Sequence, residues 1–269
     1  MSKKEAYKEH LTKLVLEVLK TSNSKYLLNY LASNSNLPGP RGNLELADAF
    51  ADAIEAYSRT DSEKLWDLCL ELTRYSAEEA PTDSPAEFFV FCGARGMGVF
   101  GTSSAHSSEA QSALMALAGD SRWRTREGVA MAIQNMIRND PRKTLEMLGK
   151  WIGSDDWLVM RAVAAGVAEP PLLKDREMAK SALELHKVIF EKILTAKDRE
   201  ASFKTLRQGL GYSLSVIVHA APVDGFGFMR QLAETCDGDI LWIVKENLKK
   251  SRLTKNFPGE VESLRKLTG

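Results

Sequence analysis

The chain has 269 residues, more than the ~100–200 of one compact domain unless it is a repeat protein whose units pack only on their neighbours. Hydrophobic residues make up 44% and charged residues 27%, an ordinary globular composition, and 36 Lys+Arg balance 36 Asp+Glu. A surface that is basic throughout and binds nucleic acid indiscriminately is therefore excluded. The charge is nonetheless segregated. Residues 1–43 hold seven bases against three acids, residues 44–110 hold 13 acids against four bases, and "KENLKKSRLTK" at 245–255 holds five bases and one acid.

Cys69, Cys92 and Cys236 lie far apart with no CxxC pair, which suggests neither a zinc site nor a disulfide framework. "MSKKEAYKEH" lacks the apolar core of a signal peptide, and no uninterrupted apolar run reaches membrane-spanning length. A cytoplasmic protein without membrane association is expected.

Helix signals dominate along the chain. "TDSE" from Thr60 and "SPAE" from Ser84 both read as capping boxes, and the second predicts a helix through "PAEFFVFCGARGMGVF". Residues 96–101, "GMGVFG", spell GxGxxG with Asp120 about 20 residues further on, the pattern of a dinucleotide-phosphate loop. Such a fold needs further strand–helix units, and none can be read. The Gly/Asp pairs at 119–120 and 238–239 predict breaks before new helices, and Pro141 and Pro222 predict helix starts. His10, His106, His186 and His219 have no partner at metal-ligand spacing, so no metal site is expected. "TSSAHSS" at 102–108 reads as an interhelix loop.

The chain also resembles itself. "REGVAMAIQNMIRNDPRKTLEML" from Arg126 aligns without gaps on "RQGLGYSLSVIVHAAPVDGFGFM" from Arg207. "WRTREGV" at Trp123 recurs as "WLVMRAV" 34 residues later and as "WIVKENL" at Trp242, and "FFVFCGARG" at Phe88 is a weaker copy. This spacing predicts an all-α fold, an α-α superhelix of antiparallel helix pairs of the HEAT/armadillo type. It would form one repeat domain over 1–269, with N-terminal helices over 1–80 and more regular repeats over 84–255.

In repeat register, Trp123 and Glu127 correspond to Trp157 and Arg161, then to Lys204 and Gln208 with Tyr212 one turn on, then to Trp242 and Glu246 with Lys249 alongside. On the helix of Trp123 and Glu127 this stripe lies roughly a quarter circle from the apolar one of Val129, Ile133 and Ile137, at ~100° per residue. Two readings fit. The tryptophans could pack between repeats while Glu127 and Arg161 form an inter-repeat ion pair. Alternatively, aromatics and fixed charges could line a groove for nucleotides, with ring faces to sugar or base and Arg to phosphate.

The segment "SRWRTREGVAMAIQNMIRNDPRKTLEMLGKWIGSDDWLVMRAV" resembles the central repeats of the AlkD-like DNA alkylation-repair glycosylases, which are HEAT-like solenoids. "KWIGSDDWLVMRA" carries the likeness most closely; "NLPGPRGNLELADAFADAI" and "FKTLRQGLGYSL" extend it. The resemblance implies excision of N3- or N7-alkylated purines from duplex DNA by a monomer that needs no metal or organic cofactor. It places Glu127 beside an oxocarbenium-like sugar and Trp123 and Tyr212 as ring faces toward it, with Arg161 on the phosphate near the lesion. The family has Asp and Trp where this chain has Glu127 and Tyr212. Trp157, Lys204, Trp242, Lys245 and Lys249 complete the expected DNA-binding set. The competing reading is a non-catalytic scaffold that binds a protein partner, favoured by the neutral charge and by the acidic 44–110 segment.

Overall fold

The structure, a computed structural model, describes residues 2–268. Among them the chain is helical throughout, without a strand, and no helix is long and apolar enough to cross a membrane. It divides into two compact units, residues 1–140 and 141–269.

The first unit contains α1 (Lys3–Thr21), α2 (Lys25–Ser33), α3 (Leu44–Tyr57), α4 (Ser62–Thr73), α5 (Glu87–Met97), α6 (Ser107–Ala118) and α7 (Trp123–Asn139). Alternate helices stack in chain order: α1 on α3, α3 on α5, α5 on α7. The intervening helices cover them, α4 on α5 and α6 on α7. The second unit contains α8 (Pro141–Ile152), α9 (Trp157–Val167), a 3-10 turn (Leu172–Lys174), α10 (Arg176–Thr195), α11 (Phe203–Ala220), α12 (Pro222–Ala233), α13 (Gly238–Asn247), α14 (Ser251–Thr254) and α15 (Pro258–Thr268). Here α9 packs on α11 and α11 on α13, with α8, α10 and α12 alongside. Within each unit this is the stacked helix-pair arrangement of a HEAT/armadillo-like repeat, as the internal similarity predicts.

Helix α5 holds the first unit together. All but one of its eleven residues are buried. Its glycines lie at crossings with no space for a side chain. A Cβ on Gly93 would come within 2.7 Å of Thr73, on Gly96 within 2.8 Å of Cys69, and, just past the helix, on Gly98 within 2.7 Å of the Ala132 backbone. From the facing side, a Cβ on Gly128 would lie 2.8 Å from the Phe91 carbonyl. The GxGxxG run is thereby explained: Gly96, Gly98 and Gly101 are occupied by Cys69, Ala132 and Met136, leaving no cradle for a phosphate.

Several local expectations are met. Helices α8 and α12 begin at their prolines, and the Ser84 box forms by half: Ser84 Oγ accepts the Glu87 N–H at 3.3 Å, but Glu87 Oε2 takes the Asp83 N–H and the helix starts at Glu87 rather than Pro85. Others are corrected. Helix α5 stops at Met97, because residues 98–101 turn with Gly98 and Gly101 against α7. The "TDSE" box does not form: Thr60 Oγ1 bonds Asp61 and the Tyr57 carbonyl, and Asp61 makes no side-chain cap. Gly238 and Asp239 lie in the first turn of α13, whose cap is Asp237; the break falls earlier, where Cys236 takes φ 55. His106 closes the 98–106 turns by stacking on Trp66 at 5.2 Å, with one ring nitrogen 3.2 Å from Glu63 and the other 3.2 Å from Glu109. His186 is fully buried between α10 and α11, bonded to Ser213 and the Ala182 carbonyl, and burial pushes its pKa down to about 4, so it is a neutral packing group.

The Gly98 crossing is testable by thermal unfolding. Its φ of −59° suits any residue, so a side chain is opposed by the space that Ala132 fills, its backbone at 2.7 Å and its Cβ at 2.9 Å. Gly98→Ala is expected to destabilise by about 1–3 kcal/mol through overpacking. Gly149→Ala, on α8 with nothing within 4 Å of the new methyl, is expected to stabilise by roughly 0.5–1 kcal/mol.

Candidate nucleic-acid interface

Trp123 is the first residue of α7 and is 38% exposed. The guanidinium of the next residue, Arg124, lies 4.6 Å from its ring centroid, so one indole face is covered by a cation. Arg124 is itself buried. It donates to Glu87 Oε2 at 2.9 Å, to the Gly39 carbonyl at 2.6 Å and to Asp83 at 3.1 Å. Glu87, the first residue of α5, is fully buried, and its Oε2 also accepts the Asp83 N–H at 2.7 Å. One charge cluster thus clasps the loop before α3, the start of α5 and the start of α7, and it fixes Trp123. Glu127 follows one turn later on α7, half-buried.

In the second unit α11 is central. Its Lys204, Gln208 and Tyr212 recur every fourth residue and form one exposed stripe, with Tyr212 52% exposed. On one side α9 contributes half-buried Arg161, whose stem would lie 3.2 Å from a Cβ on Gly209. On the other side α13 contributes Trp242 and Glu246, the ring 3.1 Å from a Cβ on Gly211. The register predicted for Arg161, Lys204, Tyr212 and Trp242 is therefore realised on neighbouring helices of this unit.

The tryptophans of this unit also serve packing. Trp157 sits edge-on to Phe203 at 5.4 Å, and Arg207 covers Trp242 at 4.2 Å. Arg207 bonds Asp239, while Arg199 bonds both Asp237 and Asp239. The hydrogen bond from Arg199 holds the Asp237 carboxyl below the ordinary range, so these acids are neutralised within the fold. Beside Trp157, an open cleft of about 690 Å³ is lined by Asp155, Asp156, Asp198 and Glu200 against Lys192 and Lys197, a balance that disfavours phosphate.

Residues beyond the predicted stripe complete the basic face. Arg252 donates to Tyr212 Oη at 2.6 Å with its guanidinium 4.8 Å from the ring centroid, and Lys250 Nζ lies 6.0 Å from the same ring. Lys249 pairs with Glu246 beside them, and Lys245 is exposed one turn earlier. The turn carrying Tyr212 is fixed from beneath. Fully buried Asn247 donates to the Leu210 carbonyl at 2.9 Å and accepts the Ser215 N–H at 2.7 Å. The basic run 245–255 was visible in sequence, but nothing local pointed it at Tyr212. By contrast, four of the 13 acids of 44–110 are paired with Lys or Arg: Asp48 with Arg95, Asp52 with Lys4, and Asp83 and Glu87 with Arg124.

No family model matches the chain, and no curated protein matches it. Among solved structures it is similar to a designed armadillo repeat protein at 13% identity, over 81% of this chain and 98% of that one, with a TM-score of 0.29. The helical-repeat fold stands on the helix packing itself.

The Arg124 cluster generates a stability prediction. Arg124→Met leaves Glu87 buried without its cation and is expected to cost about 3–5 kcal/mol in denaturant unfolding. Adding Glu87→Gln should recover part of that loss. Recovery of none would show that Arg124 acts through packing alone.

Proposed function

We propose that the chain is a DNA-binding helical-repeat protein that holds the phosphate backbone on the Tyr212 face of its second unit. The supporting observation is that residues 249–252 fold onto an exposed tyrosine, giving one aromatic ring with Arg252 on its hydroxyl and Lys250 over its face. A neutral protein needs such a local concentration of charge to engage a polyanion. Lysine and arginine supply phosphate contacts, which set register on the duplex without reading sequence. Pairing of Asp48, Asp52, Asp83 and Glu87 with Arg95, Lys4 and Arg124 leaves less acidic charge for a protein-binding scaffold to use.

The likeness of residues 121–163 to alkylpurine glycosylases supports a catalytic extension of this reading. A cationic N3- or N7-alkylated purine is already a good leaving group, so the remaining demand is for negative charge near the sugar as positive charge develops there. Glu127 is assigned that role. Trp123 is assigned positioning, because the Arg124 cation on its ring already draws on the negative π face that would otherwise stabilise the sugar.

Titration of a labelled duplex at several salt concentrations tests the binding claim. Lys249→Ala and Arg252→Ala should each weaken binding and lower the log–log salt slope by about one. Tyr212→Ala should weaken binding with little change of slope. Lys180→Ala, on the Glu177 pair of α10, should do neither, and equal effects for all four would refute the interface. On methylated duplex, Glu127→Gln should bind as wild type does while base release falls on the order of 10²-fold. Release at the wild-type rate would remove Glu127 from the chemistry and leave the binding claim intact.

A further inference from the structure

Helices α1 and α2 carry a second aromatic and basic surface, separate from the Tyr212 face. His10 on α1 stacks on Tyr30 of α2, ring centroids 4.2 Å apart and planes 24° from parallel. Tyr7 lies one turn before His10 with Lys3 Nζ 5.7 Å from its ring centroid. Its hydroxyl accepts a 3.0 Å hydrogen bond from Asn43, a buried side chain that also caps α3. Tyr26 lies one turn before Tyr30 on the same stripe of α2 and is 61% exposed. Burial, and secondarily the Tyr7 phenol, raise the Tyr30 phenol above its ordinary value. His10, Tyr30 and Tyr26 thus lie along the helix pair with Tyr7 one turn from His10, within a segment of seven bases and three acids in which Lys4 is paired with Asp52 and Lys13 with Glu9.

We propose that this face is a stacking platform that binds single-stranded nucleic acid, with bases on the rings of Tyr7, His10, Tyr26 and Tyr30 and phosphates on the lysines of α1 and α2. Ring faces can be shared only with bases that are not already stacked in a duplex, so the platform selects unpaired strands. An acidic peptide would satisfy the lysines alone, since a carboxylate is repelled by the negative face of an aromatic ring. A purely apolar partner would leave the tyrosine hydroxyls and the lysines without a role. The anchoring of Tyr7 by Asn43 means that part of the platform is ordered before any ligand arrives. The inference does not depend on the duplex interface: it uses the other unit, other residues and another form of nucleic acid.

The test uses the full chain and fluorescence anisotropy with labelled oligothymidylate and oligouridylate of about 12 nucleotides. Wild type is expected to bind both. His10→Ala with Tyr26→Ala should weaken binding about tenfold per ring removed; Tyr26→Ala alone, at an exposed side chain, should do so without lowering the melting temperature. Tyr30→Phe should retain binding, and Lys3→Ala should flatten its salt dependence. The same substitutions are repeated in a Tyr212→Ala, Arg252→Ala background, where the loss on removing the α1–α2 rings should persist, so failure here is distinguishable from failure of the duplex interface. Absence of binding, binding indifferent to the aromatic substitutions, or equal binding of a labelled polyglutamate peptide would overturn the proposal.

Discussion

The burial of α5 on almost every side is the constraint from which the first unit follows. A helix enclosed by α3, α4 and α7 must let them come close, and it does so with Gly93 and Gly96, and with Gly98 just past its end. A helix with no solvent-facing side must also satisfy any charge it carries. Glu87 and Arg95 are both buried, and each reaches a partner from another helix, Arg124 and Asp48. Removing either partner would leave an uncompensated charge away from water, which is far more costly than losing a surface pair. The pairing of Glu87 with Arg124 in turn places the Arg124 guanidinium against Trp123. The orientation of an exposed aromatic at the start of α7 is therefore a consequence of how the core of α5 is neutralised.

The second unit solves a similar problem with a neutral group. Its central helix α11 is buried along one face and carries the exposed Lys204–Gln208–Tyr212 stripe on another. Asn247 reaches from α13 to the α11 backbone on both sides of Tyr212, at Leu210 and Ser215. A buried amide with its hydrogen bonds made is a specific anchor. Gly211 lets Trp242 and Glu246 approach the same turn. Tyr212 is thus presented by a fixed backbone, and the 249–252 segment closes over it through Arg252 and Lys250. Aromatic faces and cations in a fixed arrangement suit nucleic acid better than scattered surface lysines would, because less side-chain freedom is lost on binding.

Helix starts at Pro141 and Pro222, the alternation of stacked helices and the stripe positions of Lys204, Tyr212 and Trp242 were legible in sequence. Each rests on local chemistry or on the 3.6-residue period. What could not be read is long-range. Arg124 bonds Gly39 across 85 residues, and Arg252 bonds Tyr212 across 40. No periodicity encodes such partners. The glycine run at 96–101 shows the converse problem. Glycine marks close approach, but sequence does not say what approaches, and here it is Cys69, Ala132 and Met136. The "TDSE" box failed because Thr60 found nearer acceptors in Asp61 and the Tyr57 carbonyl, a competition that the motif alone does not register.

The central claim is that a duplex is held where the 245–255 segment meets Tyr212. Hydrogen–deuterium exchange on the full chain, with and without saturating duplex DNA, locates that contact without altering any residue. Slowed exchange is expected at 245–255 and in the Lys204–Tyr212 portion of α11, reversed by high salt. Unchanged exchange in both segments with DNA demonstrably bound, or protection confined to other helices, would contradict it.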